Sequence, residues 1–341
     1  MKKLLLLLFS CCTILLNAQE INEQNFQQYQ DLAKNGDAEA QYQLASYYFQ
    51  NEEYDEGWYW GEESTKKGNA NAQYLLGVAY SYGYGIPENK DKAVEFFNLA
   101  AKQNHPKALF MIGCYYADMN NAKKANAYFK KSADLNCAEG QYFYGQFRIA
   151  GLGGKANLEE AAENIEKSAL QGYLPAIYII GTMYLEGLYY DVDITKGLSL
   201  VEIAAKANYA DAQFLLGCVY FYNEYNVPCN YSIAAQWLTL AAENGKFHAY
   251  NNLAYYYAYG HEDLPADLDK AHELIDKAIE NDPNEATFYD SKGEFYIMQG
   301  DKENAQKMWD KVIELDPKFP KTSGLYKSLY ENNGVWVGKT F

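Results

Sequence analysis

Residues 70–80 read Ala70-Asn71-Ala72-Gln73-Tyr74-Leu75-Leu76-Gly77-Val78-Ala79-Tyr80. Ala72, Leu75, Leu76, Ala79 and Tyr80 recur at the i, i+3, i+4, i+7 spacing of one helix face. The stretch returns along the chain. Ala38-Glu39-Ala40-Gln41-Tyr42 and Ala210-Asp211-Ala212-Gln213-Phe214 share its opening, and Leu216-Gly217-Cys218-Val219-Tyr220 shares its centre. Anchored two residues before the first small residue, the repeats start at Gly36, Gly68, Asn104, Asn136, Gly172, Asn208 and Gly245. A spacing in the mid-thirties marks a supersecondary unit that cannot bury its apolar face alone and stacks on its neighbours.

Each repeat holds two helical stretches. The first carries a mid-helix glycine at Gly77, Gly113, Gly145, Gly181 and Gly217, with Ala45 and Ala254 in its place elsewhere. Glycine costs a helix about 1 kcal/mol relative to alanine. A cost that recurs implies a recurring close approach of the partner helix, where a side chain would clash. Asn89, Asn121, Asn157, Asp193, Asn230 and Asp267 precede the second stretch. Their short polar side chains suit an N-cap, accepting a hydrogen bond from an N–H of the first turn. Turns such as Gly83-Tyr84-Gly85-Ile86-Pro87 and Gly151-Leu152-Gly153-Gly154 lie between the helices, and shorter turns make the shorter repeats.

The A-x-A-Q opening, the L-G-x-x-Y centre, the G-x-G-[VI] turn of Gly83 to Ile86 and the paired alanines near each end (Ala100-Ala101, Ala241-Ala242) together resemble the Sel-one-like repeat, a short relative of the tetratricopeptide repeat. Residues 285–317 resemble an ordinary tetratricopeptide repeat, with Ala286, Gly293, Tyr296, Ala305, Trp309 and Pro317 at that family's spacing. Arg148 departs from the pattern, standing where a tyrosine is expected. The resemblance implies an all-α fold, a right-handed superhelical solenoid of stacked antiparallel helix pairs. The implied organisation is a signal peptide over 1–18, an N-terminal capping helix over 19–35, seven Sel-one-like repeats over 36–281, a tetratricopeptide-like repeat over 282–317, and a C-terminal capping helix and tail over 318–341. Phe26, Tyr29, Leu32 and Ala33 would form the inner face of the first cap, and Leu325 and Leu329 that of the last.

Lys2 and Lys3 followed by Leu4 to Phe9 and Ile14 to Leu16 form a charged and then an apolar segment, too short to span a bilayer, with cleavage expected after Ala18. Leu8-Phe9-Ser10-Cys11 also resembles a bacterial lipobox, which would make Cys11 a lipid anchor. No later segment has the length and apolarity of a transmembrane helix. These features place the chain outside the cytoplasm, in the periplasm or the extracellular space, or less readily on the outer membrane. Removing residues 1–18 takes away two lysines and no acid, leaving 27 basic and 45 acidic side chains, a net −18. That balance argues against nucleic acid and anionic lipid surfaces as partners.

Four cysteines remain: Cys114, Cys137, Cys218 and Cys229. Their irregular spacing favours free, mostly buried thiols over a disulfide framework. Cys137 and Cys229 sit near helix starts, where a thiolate can be stabilised. The histidines His105, His248, His261 and His272 are scattered, without a third ligand at metal spacing. Glu262, Asp263, Asp267 and Asp269 lack the glycine and distal glutamate of a calcium loop. No nucleotide-binding, zinc-hydrolase or serine-nucleophile motif occurs. The expectation is a protein that is not an enzyme and takes no cofactor.

Binding is the remaining class. In tetratricopeptide-like repeats the first helix lines the concave side, and the resemblance carries that geometry here. Three residues before each central Gly or Ala stand Tyr42, Tyr74, Phe110, Tyr142, Tyr178, Phe214 and Asn251. This aromatic ladder suits either packing between repeats or contact with a protein or peptide partner. Five residues after the same position stand Gln50, Tyr82, Asp118, Ala150, Glu186, Tyr222 and Tyr259. Tyr82, Tyr222 and Tyr259, with Tyr255, are demanded less by the repeat and are the better contact candidates. The reading is an exported adaptor or scaffold with a tyrosine-rich surface. The alternative is a protein that binds or handles envelope glycan or peptidoglycan, in which tyrosines face sugar rings.

Overall fold

The computed structural model describes residues 21–22, 25–260, 264–321 and 323–331. The expected signal over 1–18 and its expected cleavage point, Cys11, His261, Glu262, Asp263 and the tail from 332 lie outside the described residues. Within them the chain is helical and has no strand. Eight helix pairs follow one another: Ala38–Gln50 with Tyr54–Lys66, Ala70–Tyr82 with Lys90–Ala101, Pro106–Asp118 with Ala122–Asp134, and Ala138–Ala150 with Leu158–Leu170; then Leu174–Glu186 with Ile194–Lys206, Ala210–Tyr222 with Tyr231–Glu243, His248–Tyr259 with Leu268–Asn281, and Ala286–Met298 with Lys302–Leu315. The pairs fall into two compact units, Met1–Ala176 and Ile177–Phe341. Within a unit, each second helix packs on its own first helix and then on the first helix of the next repeat. First helices of neighbouring repeats also touch, as Ala38–Gln50 does Ala70–Tyr82 and His248–Tyr259 does Ala286–Met298.

The residue that opens every repeat is Gly or Asn for a backbone reason. Gly36, Gly68, Gly172 and Gly245 have φ between +81° and +92°, and Asn104, Asn136 and Asn208 between +59° and +64°. The preceding helix ends there in a left-handed residue, a conformation only glycine and asparagine adopt cheaply. The next helix begins two residues later, or three after Gly245. Its cap is Asp37, Asn69 or His105 in the first three repeats, each accepting the N–H three residues on. All six proposed caps of the second helices accept the third amide beyond them, at 2.8–3.2 Å.

In five pairs the central glycine marks a close contact with the second helix. A Cβ on Gly77 would stand 2.6 Å from the Phe97 ring, and one on Gly113 2.6 Å from Phe129. Gly145 meets Ile165 at 2.5 Å, Gly181 meets Val201 at 2.9 Å and Gly217 meets Leu238 at 2.6 Å. In the first repeat the small residue changes sides. Ala45 occupies the first helix, and the glycine is Gly61 on the second, against Leu76 at 2.7 Å and Ala45 at 3.7 Å.

Two polar devices hold the apolar stack in register. Gln41, Gln73, Gln141 and Gln213 are buried. Gln41 and Gln213 donate to the Ala33 and Ala205 carbonyls near the end of the preceding helix. Gln73, Gln141 and Gln213 accept from Gln103, Gln171 and Asn244, the amide side chains just before the next left-handed residue. The first two bonds reach carbonyls at helix ends, and the other three pair a buried glutamine with another amide side chain. Ser64, Ser132 and Ser168, wholly buried, donate to the first-turn carbonyls of Ala38, Pro106 and Ala138, at 2.6–2.8 Å.

The ends differ from expectation in detail. The first capping helix spans Phe26–Lys34 and buries Ala33, but Leu32 is 42% exposed. Phe26, Tyr29 and Ala33, spaced at i, i+3 and i+7, form the inner face, and Leu32 falls outside it. At the other end a helix begins at Gly324, capped by Ser323, and runs through Lys327–Glu331 as a π turn. Leu325 is fully buried and Leu329 partly so.

Candidate interaction surfaces

The ladder residues divide by burial. Tyr42, Tyr74 and Phe110 are core, at 4%, 7% and 6% exposure. Tyr74 stacks on the His105 ring at 4.7 Å, and Phe110 packs on Phe129 and Phe143. Burial raises the Tyr42 hydroxyl pKa to about 12, with Glu39 adding to the rise. These three offer a partner almost no surface. Tyr142, Tyr178 and Phe214 are half-buried. Tyr142 leans on Tyr173 at 5.3 Å, Tyr178 on Tyr209 at 5.4 Å, and Lys246 lies over Phe214 at 5.6 Å.

Tyr255 is a correction to the expected contact set. It is 3% exposed, and its hydroxyl donates to the Glu294 carboxylate, with Ser291 Oγ 3.1 Å away. Burial, then the Glu294 charge, push its pKa well up. It joins the seventh repeat to helix Ala286–Met298 instead of facing outward. Glu294 and Asp290, on that helix, are buried as well.

Positions at the ends of the first helices behave differently. Gln50, Asp118, Ala150 and Glu186 are exposed, Tyr222 is 36% exposed with its hydroxyl pKa pushed up to about 12 by burial, and Tyr82 and Tyr259 are half-buried. Tyr82 stacks on Tyr84 at 5.7 Å, and Tyr84 on Tyr54 at 6.1 Å, each pair within 16° of parallel. Trp58 donates its indole N–H to the Tyr84 carbonyl.

The tyrosine that closes the L-G-x-x-Y centre has a partner that repeats too. Lys92 lies 5.1 Å over the Tyr80 ring, Lys124 4.6 Å over Tyr116, and Lys196 4.1 Å over Tyr184. Each lysine is the third residue after a second-helix cap, so a cation–π contact ties the two helices. Arg148, the departure from the pattern, is thereby explained. The residue at the lysine position of its repeat is Glu160, and Arg148 pairs with it at 2.7 Å. Tyr144 donates to the other carboxylate oxygen at 2.6 Å and, with Arg148, holds the Glu160 pKa down. The cation has moved from the second helix to the first.

Cys137, Cys218 and Cys229 form no disulfide. Cys114 and Cys137 are buried, Cys218 is half-buried and Cys229 is exposed. Burial raises Cys137 and Cys218 to about 12, so the helix start at Cys137 does not yield a thiolate. No three His, Cys, Asp or Glu side chains among the described residues are placed to hold a metal. No helix there is long and apolar enough to cross a membrane.

Paired helices, recurring close-contact glycines and recurring caps define an all-helical stacked-repeat protein. The chain belongs to the Sel1 repeat family, which matches seven consecutive stretches: residues 38–69, 70–105, 106–137, 138–173, 174–209, 210–246 and 247–283. Each match begins two residues after a left-handed opening residue, at the start of the first helix in six repeats and at its N-cap, Phe247, in the seventh. Members of this family generally mediate protein–protein interaction.

A crystal structure of a Sel1 repeat protein from Oxalobacter formigenes superposes with a TM-score of 0.56 at 23% identity, covering 85% of this chain and 86% of that one, a likeness of fold. Among curated proteins, chitin synthase regulator SKT5 of Malassezia restricta is 30% identical over 106 residues, 29% of this chain and 7% of that protein. The exopolysaccharide production negative regulator of Rhizobium meliloti is 22% identical over 134 residues, 33% and 49% respectively. The match thus spans less than two thirds of either relative's length.

Proposed function

We propose that this chain is an exported, non-catalytic adaptor that holds a protein or peptide partner on the ends of its first helices. The observation that carries the reading is a contrast between two positions of the first helices, taken over different repeats. Packing absorbs Tyr42, Tyr74 and Phe110, whereas Tyr82, Tyr222 and Tyr259 keep surface at one equivalent position. A large, stiff side chain with a polar tip, kept at the surface of a rigid scaffold, suits a binding contact. The two relatives named as regulators fit a part that binds other proteins. Export rests on the charged and apolar residues of 1–18, and it extends to a place in the periplasm or outside the cell.

The glycan alternative gains less support. Sugar binding uses open ring faces, and in the Tyr54–Tyr84–Tyr82 stack the faces of Tyr84 are spent on its neighbours.

The test is crosslinking in cell-envelope fractions followed by mass spectrometry, with wild type beside the triple variant Tyr82→Ala, Tyr222→Ala, Tyr259→Ala. A specific protein should crosslink to the wild type and be lost from the folded triple variant. An unchanged crosslink pattern would remove these tyrosines from the interface. Recovery of the chain only from the cytoplasm would end the export reading.

A further inference from the structure

A cavity of about 380 Å3 opens between the second helices of the fifth and sixth repeats, lined by Thr195, Leu198, Ser199, Glu202, Leu216, Val219, Tyr220 and Trp237. Its size falls at the lower end of ligand pockets, enough for a side chain or two. Its chemistry is an apolar floor, Leu216 and Val219, walled by two aromatic side chains and a carboxylate.

Three of the other repeats indicate what is missing. Tyr220 stands at the position of Tyr80, Tyr116 and Tyr184, each covered by the chain's own lysine. The matching place in the sixth repeat, the third residue after the cap Asn230, is Ile233. Among the described residues no lysine or arginine lies over Tyr220 or Trp237. Glu202 is paired at 2.7 Å with Lys206, one turn along its own helix, but both side chains are about half exposed or more. Such a pair is weak and readily exchanged.

We propose that this cavity receives the guanidinium or ammonium group of an arginine or lysine side chain from a partner, set over Tyr220 and Trp237 and paired with Glu202. Indole is the best aromatic face for a cation, and the nearby carboxylate favours a charged group over a neutral one of the same shape. The partner's identity as a protein rests on the adaptor reading above. The cation site itself does not.

The probe is a single blocked arginine, N-acetyl-arginine methylamide, titrated into the full chain. Blocked citrulline serves as its neutral isostere. The readout is the Trp237 indole N–H resonance, assigned with Trp237→Phe. Blocked arginine should shift that resonance saturably and citrulline should not. Glu202→Gln should weaken the response about two- to fivefold. Ile233→Lys, which restores a lysine beside Tyr220, should abolish it while leaving the circular dichroism spectrum and Tm of the wild type. An equal response to citrulline, or full binding by folded Ile233→Lys, overturns the proposal. If the envelope crosslinks through Tyr82, Tyr222 and Tyr259 persist in that case, the adaptor reading survives and the cation site alone fails.

Discussion

His105 caps a helix with a ring nitrogen, Nδ1 accepting the Ala108 amide at 3.1 Å just before Pro106 takes the first helical position. Only the neutral, correctly oriented imidazole can accept there. Burial, with Lys107 nearby, lowers its pKa from 6.5 to about 4. The unfolded chain therefore binds this proton more readily than the folded one, so stability falls as pH drops from about 6.5 to about 4. At about 1.4 kcal/mol for each unit, the loss reaches about 3 kcal/mol at most. Urea denaturation at several pH values should show His105→Asn, a cap that does not titrate, escaping that part of the decline. Parallel pH profiles for the two chains would refute it. Arg148 and Glu160 afford a second check at the same scale. Each single change, Arg148→Tyr or Glu160→Lys, should destabilise, while the double variant restores the tyrosine–lysine arrangement of Tyr80 with Lys92. A double-mutant cycle should give a coupling of about 1 kcal/mol, and strict additivity would deny the exchange. Arg148 stood out in the sequence as an exception. Its compensation at Glu160 was hidden, because the two positions meet only when the helices fold back on each other.

The two kinds of glycine make opposite demands on a helix pair. Gly77→Ala should gain about 1 kcal/mol of helix propensity and lose more to the Phe97 ring, for a net cost of about 1–2 kcal/mol. Gly68 has open space around its α-carbon, so its substitution tests backbone conformation alone. Gly68→Asn should stay within about 0.5 kcal/mol of wild type and Gly68→Ala should cost about 1 kcal/mol. Chemical denaturation of the three variants checks both statements, and a stabilised Gly77→Ala would contradict the close-packing account. The second-helix caps and the central glycines were legible in sequence because they recur at fixed intervals, whereas the opening Gly or Asn marked the register without revealing its left-handed backbone. The buried Gln and Ser bridges were not recognised, although a signal was present. An amide residue, Gln103, Gln171 or Asn244, precedes the left-handed opening that follows Gln73, Gln141 and Gln213, whereas Lys67 stands there after Gln41.

A stacked-repeat chain has many small interfaces in place of one core, so damage stays local. Leu325, fully buried over Gly293, closes the last helix pair. Leu325→Ala should cost about 2–4 kcal/mol at that end. Hydrogen exchange should quicken in Ala286–Met298 and Lys302–Leu315 while amides within Met1–Ala176 keep their protection. Uniform loss of protection along the chain would mean a single cooperative unit instead.

Period, caps and left-handed openings are local properties, set by hydrogen bonds and φ angles within a few residues, so the bare sequence sufficed to find the helix pairs and to number the repeats. Which tyrosines stay accessible is different in kind. Tyr82, Tyr222 and Tyr255 all sit on first helices with similar neighbours in the chain, yet Tyr255 is sealed by Ser291 and Glu294 from the following repeat. The covering of Tyr80 by Lys92, and the open cavity beside Tyr220, likewise depend on side chains brought together by packing. Burial is a sum over spatial neighbours, and spatial neighbours exist only once the helices have stacked.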